Sequence, residues 1–201
     1  MTTHDPFRRQ LLRNVLAAGG LGLAGGYPEL ALAQELPPTP ACDDGDAPTV
    51  RQGEGPFYKP KSPERADLVE RGTNARLVEL TGHVVTRGCK PVPRALVDLW
   101  HADDSGDYDN RGFRYRGHVF TDAQGRYRFR TILPALYTGR TRHYHIKVVT
   151  GGRQLLTTQL YFPADEAANR RDGLFRRELL MRVADAGDAM AARFDFVLDT
   201  R

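Results

Sequence analysis

Cysteine, methionine, tryptophan and lysine are all scarce in this chain. Its 201 residues include two Cys, three Met and one Trp. Two thiols make neither a disulfide-dense scaffold nor a four-thiolate zinc site; they allow one disulfide where the compartment is oxidising. Lys accounts for four of the 29 basic residues, and the rest are Arg interleaved with Asp. No long basic run appears and the net charge is only +4, so nothing points to a nucleic-acid partner. No apolar run approaches the roughly 20 residues that a membrane-spanning helix needs. What remains is an ordinary globular composition, 40% hydrophobic and 27% charged, of a size for one domain plus a tail.

The tail is read first. Phe7-Arg8-Arg9-Gln10-Leu11-Leu12-Arg13 is followed by a small, apolar stretch from Val15 to Gly26, and Ala31-Leu32-Ala33 precedes Gln34. Basic part, apolar part and small-residue site stand in the order of a signal peptide. The Arg8-Arg9 pair resembles a twin-arginine export signal. Residues 1–33 are therefore expected to be a leader, and the mature protein periplasmic or secreted, with no stable membrane anchor after cleavage. Twin-arginine export moves folded proteins, so a cofactor would be acquired before export. Residues 34–53, rich in Pro, Asp and Gly, read as a linker or N-terminal arm. Residues 54–201 read as the folded domain.

That domain reads as short strands. Leu77 to Val85 and Ala95 to His101 flank the turn-forming Arg87-Gly88-Cys89-Lys90-Pro91. His118 to Thr121 and Arg126 to Thr131 flank Asp122-Ala123-Gln124-Gly125, a hairpin signal. Tyr144 to Thr150 and Leu155 to Phe162 follow around Gly151-Gly152, and Phe194, Phe196 and Leu198 alternate near the end. One helix is expected, from Pro163 to about Leu180, broken at Asp172-Gly173. Strands at this spacing predict an all-β fold, an antiparallel β-sandwich with long loops and little helix.

The sharpest chemical feature is Arg140-Thr141-Arg142-His143-Tyr144-His145. In a strand, residues two apart share a face, so His143 and His145 project together, about 7 Å apart at Cα. Tyr144, Ile146 and Val148 then face the core. Paired neutral imidazoles suit Fe, Cu, Ni and Zn alike. Tyr108 and Tyr137 both lie just beyond strand ends, where sites cluster. Two phenolates and two imidazoles favour a trivalent metal, and the sulfur-free set argues against Cu(I) and structural zinc. The run Asp103, Ser105, Asp107, Asp109 has alternate-oxygen spacing. However, its Gly is fourth rather than sixth and its twelfth residue is Arg114, so it does not fit a calcium loop.

Four blocks together resemble the intradiol ring-cleavage dioxygenases, the catechol and protocatechuate dioxygenase family. They are Glu54-Gly55-Pro56-Phe57-Tyr58, then Val97 to Asp103 leading to Tyr108, then Arg116-Gly117 through Gly125 to Pro134 and Tyr137, then Arg140 to His145 with Gln159. The resemblance implies one Fe(3+) per chain, with Tyr108 and His143 equatorial, Tyr137 and His145 axial, and a hydroxide as fifth ligand. It implies that a catechol binds as a dianion, that Tyr137 leaves the metal with one of its protons, and that O2 is the co-substrate. The product would be a cis,cis-muconate-type dicarboxylate. Arg140 and Gln159 would line the substrate pocket, with Arg140 a fixed cation for charge that develops on the ring. Tyr144 stands where the family usually has an aliphatic residue between the histidines, a change on the core side. Trp100 reads as core and His101 as a structural hydrogen bonder. His83 and His118 read as ordinary strand histidines, and Arg142 as surface.

Two other readings use the same residues. One is a metal-free transthyretin-like or carbohydrate-binding sandwich module; the other is a periplasmic Cu/Zn-binding protein using His143 and His145. In an oxidising compartment, a Cys42–Cys89 disulfide would tie the linker to the sandwich. The expected partner is a small-molecule catechol, with the particular catechol undetermined. Oligomeric state is left open, a homo-oligomer included.

Overall fold

The computed structural model describes residues 47–200. The expected leader at 1–33 and Cys42 lie outside the described residues.

Alternation of apolar and polar residues builds the first sheet. In β1 (Leu77–Thr86), Val78, Leu80 and Val84 turn inward and are buried, while Leu77, Glu79 and Thr81 are half-buried on the other face. β4 (Arg126–Ile132) does the same, with Tyr127 and Phe129 inward and Arg126 and Arg128 outward. These two strands pair antiparallel. On its other edge β1 runs parallel to β8 (Ala189–Arg193) and then to β9 (Phe196–Leu198), and β7 (Arg182–Ala186) closes the sheet antiparallel to β8. This sheet is therefore mixed, within the expected all-β sandwich. The cause is local. Between β8 and β9 the chain stays beside β1, with the Phe194 N–H donating to Thr81 O at 3.0 Å. Gly82 makes the approach possible, since a Cβ there would lie 1.7 Å from the Phe194 carbonyl oxygen.

The second sheet is antiparallel throughout. Its order is β3 (Arg116–Phe120), β2 (Leu96–Trp100), β5 (His143–Thr150), β6 (Arg153–Tyr161). Val97, Leu99, Tyr144, Ile146, Val148 and Leu160 on one face meet Val78, Leu80, Phe129 and Phe196 of the first sheet in one core. Each large apolar side chain buried there contributes about 1.5–3 kcal/mol.

β5 shows no alternation in burial, because both its faces are covered. The outer face carries His143, His145 and Lys147, and the arm that precedes β1 lies over it. The Gln52 N–H donates to Thr157 O at 2.8 Å, Lys147 Nζ pairs with Glu54 at 2.7 Å, and the Arg65 N–H donates to His118 O at 3.0 Å. The described end of the expected linker is thus docked, with the Thr49 N–H on Val197 O at 2.9 Å.

The helical segment is shorter than expected, though it breaks where expected. The helix is a single short one, α1 (Glu166–Arg171), followed by a 3₁₀ turn at Arg177–Leu179. The break falls at Asp172, whose carboxylate accepts the Leu174 N–H at 2.9 Å and the Thr141 N–H at 3.1 Å. It turns the chain back toward β6, where the Met181 N–H meets Tyr161 O. The β7–β8 hairpin was not expected, because its strands are built largely of alanine and charged residues, which are poor strand formers.

Candidate metal centre and its surroundings

The period of two on β5 places His143 and His145 together as expected. Their Nε2 atoms are 3.2 Å apart, and the Tyr108 hydroxyl oxygen lies 3.3 Å from the first and 3.1 Å from the second. Three donor atoms thus form a triangle that a single cation reaches at ordinary bond lengths of about 2.0–2.2 Å. His143 Nδ1 lies 2.7 Å from Thr141 O, which places the proton on Nδ1 and leaves the Nε2 lone pair free. His145 Nδ1 is buried without a hydrogen-bond partner. Burial lowers the His143 imidazole to about 4 and holds His145 well below the ordinary value, so both are neutral near pH 7. Burial also raises the Tyr108 hydroxyl, although Arg140 and Arg116 pull it the other way. Uptake of a metal here would release the Tyr108 proton.

No group of three or more His, Cys, Asp or Glu converges among the described residues. The cluster that does converge takes one of its donors from tyrosine. Two imidazoles and a phenol form a hard, sulfur-free set, which fits a ferric ion.

The loops that carry the tyrosines are fixed to each other. The Asp103 carboxylate accepts the N–H groups of Ser105 and Asp107, both at 2.9 Å, and folds the loop that leads to Tyr108. The Asp109 carboxylate likewise accepts the Arg111, Gly112 and Arg114 N–H groups. These bonds account for the alternating oxygens that resembled a calcium loop. The Ala135 N–H donates to Asp103 O at 2.9 Å. Gly106, at φ +91, lies where a Cβ would be 2.8 Å from Leu136 O. Tyr137 is half-buried, with its ring edge-on to Tyr108 at 5.8 Å and to Phe57 at 5.5 Å.

Arg140 and Gln159, expected to line the substrate pocket, bond to each other, with Arg140 Nη2 donating to the buried Gln159 Oε1 at 2.5 Å. Gln159 is the cross-strand partner of His145. A cleft of about 430 Å³ lined by Leu136, Tyr137, Arg140 and Arg171 opens beside them. Arg142 faces away and pairs with Asp165. Cys89 is disulfide-bonded, while its expected partner Cys42 lies outside the described residues.

Several residues around this centre were missed or read as structural only. Trp100 stacks on His145, Phe57 stacks on Tyr108, Asp172 holds Arg140, and Arg116 is fully buried beside them. Phe57, Trp100 and Arg116 stand in the blocks that carry the family resemblance, and Asp172-Gly173 interrupts a helical pattern; those were the available signals. His118 is also more than an ordinary strand histidine. It lies 3.1 Å from Ser62 Oγ, which donates to Asp98 at 2.8 Å beneath the arm.

Comparison with known proteins identifies the family and the fold. A family model described as Dioxygenase matches residues 53–200. The protocatechuate 3,4-dioxygenase beta chain of Burkholderia cepacia is 34% identical over 62% of this chain and 65% of its own length. Catechol 1,2-dioxygenase of Acinetobacter baylyi is 32% identical over 58% of this chain and 47% of its own. The chain therefore spans between about half and two thirds of the length of these relatives. Among solved structures, the dioxygenase domain of a dioxygenase–carbohydrate-binding fusion from the cellulolytic Streptomyces sp. SirexAA-E is 50% identical. It has a TM-score of 0.74 and covers 77% of this chain and 100% of that domain.

Proposed function

This chain belongs to the intradiol ring-cleavage dioxygenase family, and we propose that it cleaves a catechol-type ring between its two hydroxylated carbons, with O2 as co-substrate. The observation that carries the reading is the convergence of Tyr108 Oη, His143 Nε2 and His145 Nε2 within 3.1–3.3 Å of one another. Tyr108, Tyr137, His143 and His145 would hold Fe(3+). When bound, the ion would supply Lewis-acid and redox chemistry.

The side chains then have distinct tasks. His143 and His145 are neutral, and His143, with its proton on Nδ1, offers the Nε2 lone pair without a proton to displace. Tyr137, half-buried and lining the cleft, would as a phenolate accept a substrate hydroxyl proton on its own oxygen. Arg140 is held by Asp172 through Nε at 2.8 Å, which aims its remaining N–H groups at Gln159 and the cleft. There its fixed charge stabilises negative charge developing on the ring. Leu136 and Tyr137 give the cleft an apolar wall for a flat aromatic.

A metal-free binding module has no use for this donor set, and a Cu or Zn protein has no use for buried phenols beside it. Export rests on the leader at 1–33, and a disulfide at Cys89 fits an oxidising compartment.

The test is oxygen uptake by iron-loaded protein against catechol, protocatechuate, hydroxyquinol and bulkier catechols. A muconate-type acid and a red-brown tyrosinate-to-iron band are expected. A semialdehyde product, or colourless protein with full iron loading, would overturn the reading.

A further inference from the structure

Arg116 is a charged side chain in a place that disfavours charge. It lies on β3, only 1% exposed. In register it faces Trp100, Trp100 faces His145, and His145 faces Gln159, so the four form one row across the sheet. Its Nη1 donates to Phe57 O at 2.6 Å and its Nε to Asp109 O at 3.0 Å. Nη2 is buried with no hydrogen-bond partner. Among the described residues it bonds carbonyl oxygens and no carboxylate. A buried cation with no carboxylate in contact is costly, and further negative charge nearby offsets that cost.

Both carbonyls it grips belong to the setting of Tyr108. Asp109 is the next residue in the chain. Phe57 lies flat against the Tyr108 ring, with centroids 4.4 Å apart and planes 12° from parallel. One guanidinium thus fixes the backbone just beyond Tyr108 and the ring that covers its face.

We infer that Arg116 is a positioning residue for the metal site, holding the Tyr108 ring in place and serving as counter-ion to the Tyr108 phenolate once a metal has displaced its proton. The inference rests on Tyr108 being a metal ligand, as proposed above. Electrostatics agree with the geometry. Burial lowers the Arg116 guanidinium, while Asp109, Tyr108 and Asp98 act to restore it.

The experiment compares full-length wild type, Arg116→Gln and Arg116→Lys, each titrated with ferric iron and followed by its visible spectrum. Arg116→Gln removes the charge, and its iron affinity is expected to fall about tenfold or more, as for other groups that orient ligands. Its phenolate-to-iron band should move to longer wavelength, because the phenolate loses the cation that lowers its donor level. Arg116→Lys keeps the charge but not the two-carbonyl grip. It should hold the band near the wild-type position while still losing affinity, and it carries the test alone if the Gln variant does not fold. Variants that match wild type in both affinity and band position would overturn the inference and leave the ferric reading standing. Wild type that shows no band and binds no iron would overturn both.

Discussion

The indole of Trp100 lies flat on the imidazole of His145, with ring centroids 4.9 Å apart and planes 6° from parallel. The two are directly opposed on neighbouring strands. Tyr58 also packs on the indole, tilted by 56°, at 4.8 Å. Because His145 Nδ1 has no hydrogen bond to orient the ring, the stack and the sheet do so instead. Gly55 closes over the ring edge, since a Cβ there would lie 3.3 Å from His145 Cε1.

The stack predicts the behaviour of Trp100→Leu. Loss of the indole should destabilise the metal-free protein by about 3 kcal/mol, as large-to-small core changes do. Iron affinity should fall by about tenfold. Trp100→Phe, which keeps a flat ring, should retain most of the affinity. Iron content after dialysis, set beside thermal melts, separates the two effects. Equal iron retention in the Leu variant would mean that the stack does not orient His145.

Asp172 should matter to turnover through Arg140. It accepts Arg140 Nε at 2.8 Å, and its side chain is 1% exposed. Asp172→Asn is expected to lower kcat/KM for catechol by about 10- to 100-fold, with Arg140→Ala at least as severe. The double variant should be hardly worse than Arg140→Ala alone, because both changes break one unit. Fully additive losses would show that Asp172 acts elsewhere.

His101 sets a pH dependence of the metal-free fold. Its Nδ1 lies 2.7 Å from Ala102 O and its Nε2 2.6 Å from Thr131 Oγ1. Burial lowers it from 6.5 to about 4. The unfolded chain therefore binds the extra proton first as pH falls. Stability is full above about 6.5, declines between there and about 4, and loses no more to this group below that. The loss amounts to about 3 kcal/mol. Denaturant midpoints measured from pH 7 to 4 should fall less steeply for His101→Gln than for wild type. An unchanged slope would remove His101 from the account.

Gly82 should not tolerate a side chain. The Phe194 carbonyl, which also accepts the Tyr127 hydroxyl at 2.7 Å, occupies the space. Gly82→Ala is expected to abolish soluble expression or cost several kcal/mol in melting experiments, whereas Gly173→Ala, with open space around it and an ordinary φ, should cost far less. Comparable stability of the two variants would contradict the close approach of Phe194, between β8 and β9, to β1.

The strands and the histidine pair were legible because they depend on period-two alternation. That pattern put Tyr127 and Phe129 in the core and His143 and His145 on one face before any fold was known. The β7–β8 hairpin was not legible, since its alanines carry little strand preference. Its Gly187-Asp188 turn was the remaining clue. The parallel pairing of β1 with β8 and β9 has no local signature at all.

The sequence by itself determined the donor chemistry: two imidazoles two residues apart, tyrosines at strand exits and no thiolate. Tertiary structure decided what holds those donors still. Trp100 meets His145, and Arg116 reaches Phe57 and the residue after Tyr108, only because strand register and the folded arm bring together positions far apart in the chain. Asp172 turns from a helix-breaking residue into the anchor of Arg140 for the same reason. Local pattern fixes which way a side chain points, whereas its neighbours across a sheet depend on non-local pairing that no window of sequence contains.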